Sequence, residues 1–194
     1  MKSNRVEALS DGMIAIIITV MVFQMEAPRG SSLNDLIEIG PVFIAYILSF
    51  IMLGTYWSNH HHMFQTAKEI DANIMWGNLH LMFWLSLFPF VTHWVGVNVG
   101  EQWPAAMYGV VQLGAGLAYT ILQMAIVAHQ GQGSVLAKAV GANAKGKISL
   151  AGHIVATITA FFVPLYSYAI FAFVALMWVV PDRRIEAIVK RRST

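Results

Sequence analysis

An all-α integral membrane protein with six transmembrane helices is the fold class this sequence predicts, and three observations carry it. Of the 194 residues 57% are hydrophobic and 11% charged, where a soluble domain carries about 25% charged residues. The apolar residues gather into runs that meet the requirement for a membrane span, about 20 mostly apolar residues in a helix. Finally, the 12 Lys and Arg residues fall almost wholly on one side of the topology these runs define. There is no room for a separate soluble domain. The absence of cysteine excludes disulfides, thiolate metal sites and cysteine chemistry.

The first run, RVEALSDGMIAIIITVMVFQM, predicts a span over 5–26. Lys2 and Arg5 before an apolar stretch invite a signal-peptide reading. Glu7 and Asp11 interrupt the basic region, however, and MEAPRG offers no small-x-small cleavage site, so the run reads as a retained span. Further spans are predicted over 36–65, 72–98 and 104–129. The last apolar stretch, 146–181, would extend about 54 Å as one helix, at about 1.5 Å per residue against a core of about 30 Å. Pro164, in FVPLYSY, interrupts it, because proline kinks or breaks a helix interior. Two short spans, 146–163 and 165–181, then form a hairpin.

With six spans, both termini and the loops 66–71 and 130–145 share one side. That side holds Lys2, Arg5, Lys68, Lys138, Lys145, Lys147, Arg183, Arg184, Lys190, Arg191 and Arg192, and the other holds Arg29 alone. The asymmetry assigns the basic side to the cytoplasm. The tail 182–194 reads as a basic topology anchor near anionic lipid, too short a run to suggest a nucleic-acid partner. The loop GQGSVLAKAVGANAKGK carries no chemical signature.

Charges inside the first span raise the question of function. At 100° per residue, Arg5, Leu9, Gly12, Ile16, Thr19, Val20 and Phe23 lie within about 50° of a common direction, while Asp11 lies roughly 100° or more away. If the first group lines a pore, the pore is apolar and Asp11 points into the subunit. An ionisable group in a membrane faces a bundle interior, a partner or a cavity. Asp11 is therefore a proton carrier, an ion ligand or a structural partner, and its place near the cytoplasmic end favours the last. Arg5 either snorkels to the interface or clamps a neighbouring helix end.

A second polar cluster, YWSNHHHMF, closes the second span. Trp57, His60, His61 and Phe64 are expected on one face with Asn59 and His62 beside it. Neighbouring histidines on a helix point in different directions, and HExxH is absent, which argues against a metal site. Interhelical bonding to Ser10 or Asp11 is the favoured role, and Asn73 and Asn78 are candidates for the same layer. His80, His93, His129 and His153 read as packing or interfacial histidines. Trp94, Trp103 and Tyr108 are expected in the outer aromatic belt. Ala105 with Gly109, and Gly114 with Ala118, permit close helix packing. The sequence holds no phosphate loop, no convergent catalytic set and no TVGYG filter, so no enzyme is predicted.

Arg5-x-x-x-Leu9-Ser10-Asp11-Gly12 resembles the R-x-x-x-F-S-D-G signature of the transmembrane protein 175 family, the endosomal and lysosomal potassium channels with single-repeat prokaryotic members. The following run, MIAIIITVMV, is similar to the family's pattern of an Ile five residues past the Asp and a Thr three beyond. The W-x-x-H-H-x-x-F at Trp57–Phe64 also resembles its second helix, and six spans with both termini cytoplasmic match, so the resemblance covers essentially the whole chain. Leu9 departs from the usual Phe, an apolar exchange.

The resemblance implies a homotetramer in a prokaryotic plasma membrane, both termini cytoplasmic, with the first helices lining a central pore that is selective for potassium or prefers it. It implies no cofactor beyond the permeant ion. Carried over by position, Ile16 forms an apolar constriction, Gly12, Val20 and Phe23 share its face, and Thr19 offers hydroxyls. Arg5, Ser10 and Asp11 hold the first helix against the second and third, with Trp57, Asn59, His60 and His61 in the same structural polar network. Selectivity then comes from a width that admits a partly dehydrated potassium ion. The alternative is a secondary or proton-coupled transporter using Asp11 and the histidines.

Overall fold

Helices form along the apolar runs, and prolines, glycines and capping side chains set several of their ends. The computed structural model describes residues 3–67, 69–131, 133–140 and 143–179. The expected basic tail 182–194 lies outside the described residues, as do Lys2 and Lys68. Nine helices are described in chain order: α1 (Ser3–Phe23), α2 (Leu33–Glu38), α3 (Gly40–Thr66), α4 (Ala72–Ser86), α5 (Phe88–Val97), α6 (Gln102–Gln130), α7 (Val135–Val140), α8 (Ala144–Ala160) and α9 (Pro164–Val179). Four stretches are long and apolar enough to cross a membrane: α1, α3, α4 continued through α5, and α6. The apolar helix α9 is shorter.

Several boundaries differ from the sequence reading, among them the end of the first span, at Phe23 rather than 26, and that of the fifth, at Ala160 rather than 163. Residues 36–38 belong to α2 rather than to the second span. Ser32 caps α2 by accepting from the Asp35 N–H while the Asp35 carboxylate accepts from the Ser32 N–H, a reciprocal capping box. Pro41 then sits in the first turn of α3, where a missing N–H costs nothing. The third run breaks at Leu87 into α4 and α5, because the Pro89 ring clashes with the carbonyl four residues back. Within the Gly/Ala/Lys loop, α7 forms. Between α8 and α9 the chain turns through Phe161, Phe162 and Val163, and Pro164 opens α9.

The fold packs around α6, which touches α4, α5, α8 and α9, while α1 lies against α3, α4 and α5. Phe64, Ile74, Leu81, Leu85, Phe88, Tyr108 and Leu122 form the buried centre. Ser49, Thr92 and Tyr108 pair their buried hydroxyls with one another, as an apolar interior favours. Ser49 of α3 bonds Thr92 of α5 at 2.7 Å and Tyr108 of α6 at 3.0 Å. Tyr108 is accordingly buried and is not part of an outer aromatic belt, whereas Trp103 is exposed. His153 of α8 bonds Gln112 of α6 at 3.0 Å, a packing role.

Candidate functional site

Helix α1 is divided lengthwise. Val6, Ser10, Ile14, Ile17 and Met21 are buried, at the three- and four-residue spacing of one helix face. Arg5, Leu9, Gly12, Ile16, Thr19, Val20 and Phe23 are all exposed within the single chain. Ile16 is 64% and Phe23 82% exposed, so this apolar stripe has no partner in its own subunit. Around Gly12 there is open space. The Thr19 hydroxyl donates to the Ala15 carbonyl at 2.9 Å, which leaves its oxygen lone pairs facing outward as acceptors.

The buried side of α1 is moored by polar bonds at its first half. Helices α1 and α3 run antiparallel here and form two rungs. Asp11 Oδ1 accepts from the Trp57 indole N–H at 3.0 Å. One turn earlier, Glu7 Oε1 meets His61 Nδ1 at 2.7 Å. The Trp57 and His61 rings stack on each other with centroids 6.3 Å apart, so the rungs brace one another.

Asn78 of α4 joins α1 to α3 beneath them. Its amide donates to Ser10 Oγ at 2.9 Å, and its Oδ1 lies 2.8 Å from His60 Nε2. Ser10 in turn donates to the Val6 carbonyl at 2.9 Å. Because Asn78 Oδ1 only accepts, His60 must carry its proton on Nε2, and its ring stacks on Phe64 at 4.4 Å. Ser3 adds a bond to the Phe64 carbonyl at 3.2 Å.

The family described as endosomal/lysosomal potassium channel TMEM175 matches residues 5–89. A potassium channel of Chryseobacterium sp. (strain P1-3) is 45% identical over 190 residues, covering 98% of this chain and 99% of its own. The chain belongs to the TMEM175 family. A potassium channel of Streptomyces collinus (strain DSM 40733 / Tue 365) is 31% identical over 129 residues, which is 62% of this chain and 63% of that one. The crystal structure of a lysosomal potassium-selective channel TMEM175 homolog from Chamaesiphon minutus superposes with a TM-score of 0.81. It covers 93% of this chain and 97% of its own at 20% identity, a likeness of fold. The segment matching TMEM175, residues 5–89, contains the whole exposed stripe and both rungs.

Within this TMEM175 chain the second-span cluster spans one broad face of α3. It splits into two neighbouring rows, Trp57 with His61 toward α1 and His60 with Phe64 toward α4, since residues four apart align and adjacent ones diverge. His60 reaches Asn78 rather than Ser10 or Asp11 directly. Asn59 donates to the Thr55 carbonyl on its own helix, and its carbonyl accepts from Tyr119 of α6. Asn73 is exposed and stays out of the layer. Arg5 is exposed on the stripe and makes no bond within the described residues. Among the described residues no group of three or more His, Asp or Glu is placed to hold a metal ion.

Glu7 and Ser3 are the members of this mooring that sequence reasoning missed. A signal existed: Glu7 and Asp11 stand four apart on α1, and Trp57 and His61 four apart on α3, the pattern of two rungs between antiparallel helices.

Proposed function

We propose that the chain is one subunit of a homotetrameric potassium channel, selective for potassium or preferring it, in a prokaryotic plasma membrane. Its six spans are α1, α3, α4 with α5, α6, α8 and α9, with both termini cytoplasmic. Four copies of α1 surround the pore: Ile16 forms the constriction, and Gly12, Thr19, Val20 and Phe23 line the same path. The observation that carries this reading is the stripe on α1, exposed in the single subunit from Arg5 to Phe23 and apolar at its centre. A ring of such faces makes a narrow hydrophobic conduit, which gates by dewetting and discriminates by width. The names of the bacterial relatives, potassium channels in both cases, point the same way.

In this arrangement Asp11 is a fixture rather than a carrier. It lies off the stripe with one oxygen held by Trp57, and Ser10, Asn78, His60 and His61 complete the mooring. Purified protein in a bilayer with opposed potassium and sodium gradients tests the reading. The expected result is a current whose reversal potential follows the potassium gradient without a proton requirement. Saturable, proton-coupled exchange abolished by Asp11→Asn in a folded protein contradicts it and favours the transporter.

A further inference from the structure

A cavity of about 460 Å³ opens just past the end of α1, between the turn 25–29, α2, the start of α3 and the end of α5. Its size falls within the ~300–1,000 Å³ of small-ligand sites. Glu26, Asp35 and Glu38 line it together with one cation, Arg29. Asp35 is committed to the Ser32 cap. The side chains of Glu26, Glu38 and Arg29 form no hydrogen bond or ion pair among the described residues. Opposite charges therefore share one cavity without pairing to each other. His93 also lines it, and its Nδ1 is buried without a partner. The other walls are largely apolar, Ile39, Val42 and Val97 among them, and among the described residues they include no Trp, Tyr or Phe.

Beside the cavity, α2 is two-sided. Leu33, Leu36 and Ile37 are exposed on one face, and Asp35 and Glu38 point about 150° away from it. The apolar face runs on into Phe43, Ile44 and Ile47 of α3, also exposed, on a helix long and apolar enough to cross a membrane. We propose that the cavity binds the headgroup of a zwitterionic phospholipid carrying a primary ammonium, a phosphatidylethanolamine, whose acyl chains lie along this face of α2 and α3. Arg29 meets the phosphate, which guanidinium binds through paired N–H donors. Glu26 and Glu38 accept from the ammonium, a group with three donors. Other headgroups match less well. An anionic headgroup would meet three carboxylates against one Arg29. A quaternary ammonium has no N–H to donate and is recognised by aromatic rings, which these walls do not supply. The bound lipid ties the turn after α1 to α2, α3 and α5. This chemistry holds whether or not the chain conducts.

Native mass spectrometry of the full chain, delipidated in mild detergent, tests this with lipids of identical acyl chains. The series is phosphatidylethanolamine, its mono- and dimethylated forms, phosphatidylcholine and phosphatidylglycerol. Retention by wild type is expected to fall with each added methyl, about tenfold from phosphatidylethanolamine to phosphatidylcholine, the ratio that ~1.4 kcal/mol represents and about one charge-assisted hydrogen bond. Phosphatidylglycerol should bind no better than phosphatidylcholine. Glu26→Ala combined with Glu38→Ala should bring phosphatidylethanolamine down to the phosphatidylcholine level, and Arg29→Ala should weaken every phospholipid. The methylation series uses wild type alone, so it decides even if a variant fails to fold. Equal retention of phosphatidylethanolamine and phosphatidylcholine by wild type overturns the proposal, as does a preference that survives the double variant. Displacement of the lipid by soluble phosphoethanolamine at equal concentration would assign the cavity to a free small molecule and overturn the lipid. A preference seen in dissociated subunits but absent from the intact assembly would show a neighbouring copy filling the cavity, and overturns it too.

Discussion

Asn78 shows how one side chain organises the mooring. It satisfies Ser10 and His60 at once inside the helix bundle, where an unpaired polar group costs about 1–3 kcal/mol. Asn78→Leu keeps the volume and strands the His60 N–H. A loss of about 1–3 kcal/mol in stability is expected, measured by thermal or denaturant unfolding in detergent. An unchanged transition would mean that water or a neighbour takes over the bond. Asp35 illustrates a different dependence. Hydrogen bonds from the Ser32 side chain and then its backbone hold its carboxyl below the ordinary 3.8. A carboxylate with a lowered folded value stabilises above its unfolded value, and that contribution is lost as pH falls through the folded one. Amide protection in α2, taken relative to the intrinsic exchange rate at each pH, should therefore fall as pH drops below the ordinary carboxylate range, and Asp35→Ala should remove that dependence.

At the scale of elements, close helix approach rests on particular glycines. A Cβ on Gly96 of α5 would lie 2.8 Å from the Val42 Cα of α3, while one on Gly54 would meet nothing within 4 Å. Gly96→Ala should thus destabilise by about 1–3 kcal/mol through overpacking, and Gly54→Ala should not, as paired melting curves would show. The same contrast explains what was legible in the sequence. The apolar runs and the exposed face of α1 could be read because bilayer thickness and the 3.6-residue period act on one helix at a time. Ile16, Thr19 and Phe23 separate from Ile14, Ile17 and Met21 on a wheel without any knowledge of neighbours. The partners of that helix were less legible, because they depend on how three helices meet: His60 turning to Asn78 and His61 to Glu7 follows from the crossing of α1, α3 and α4. The break at Pro89 was written in FPF, but the 72–98 run had the length of one ordinary span and concealed it. The Ser32–Asp35 box lay just ahead of an apolar run that began at a plausible place.

At the scale of the molecule, the account joins two surfaces with opposite demands. One side of α1 buries a polar mooring that fixes rotation about the helix axis. The other leaves Ile16 and Phe23 exposed, with no partner in their own subunit. A helix rotated by one residue would carry the whole stripe about 100° away, which is why the mooring matters to permeation in the channel proposed above. In the homotetramer proposed above, four copies around one axis give each stripe the same environment, and cross-linked or mass-resolved protein in mild detergent should run as four subunits. Stable dimers or monomers that still conduct would require another pore. The most direct test of the central claim is the potassium-to-sodium permeability ratio, with single-channel conductance, of Ile16→Ala and Ile16→Asn beside wild type. The account predicts higher conductance and a lower ratio in both variants, whereas unchanged permeation in either would show that Ile16 is not the constriction.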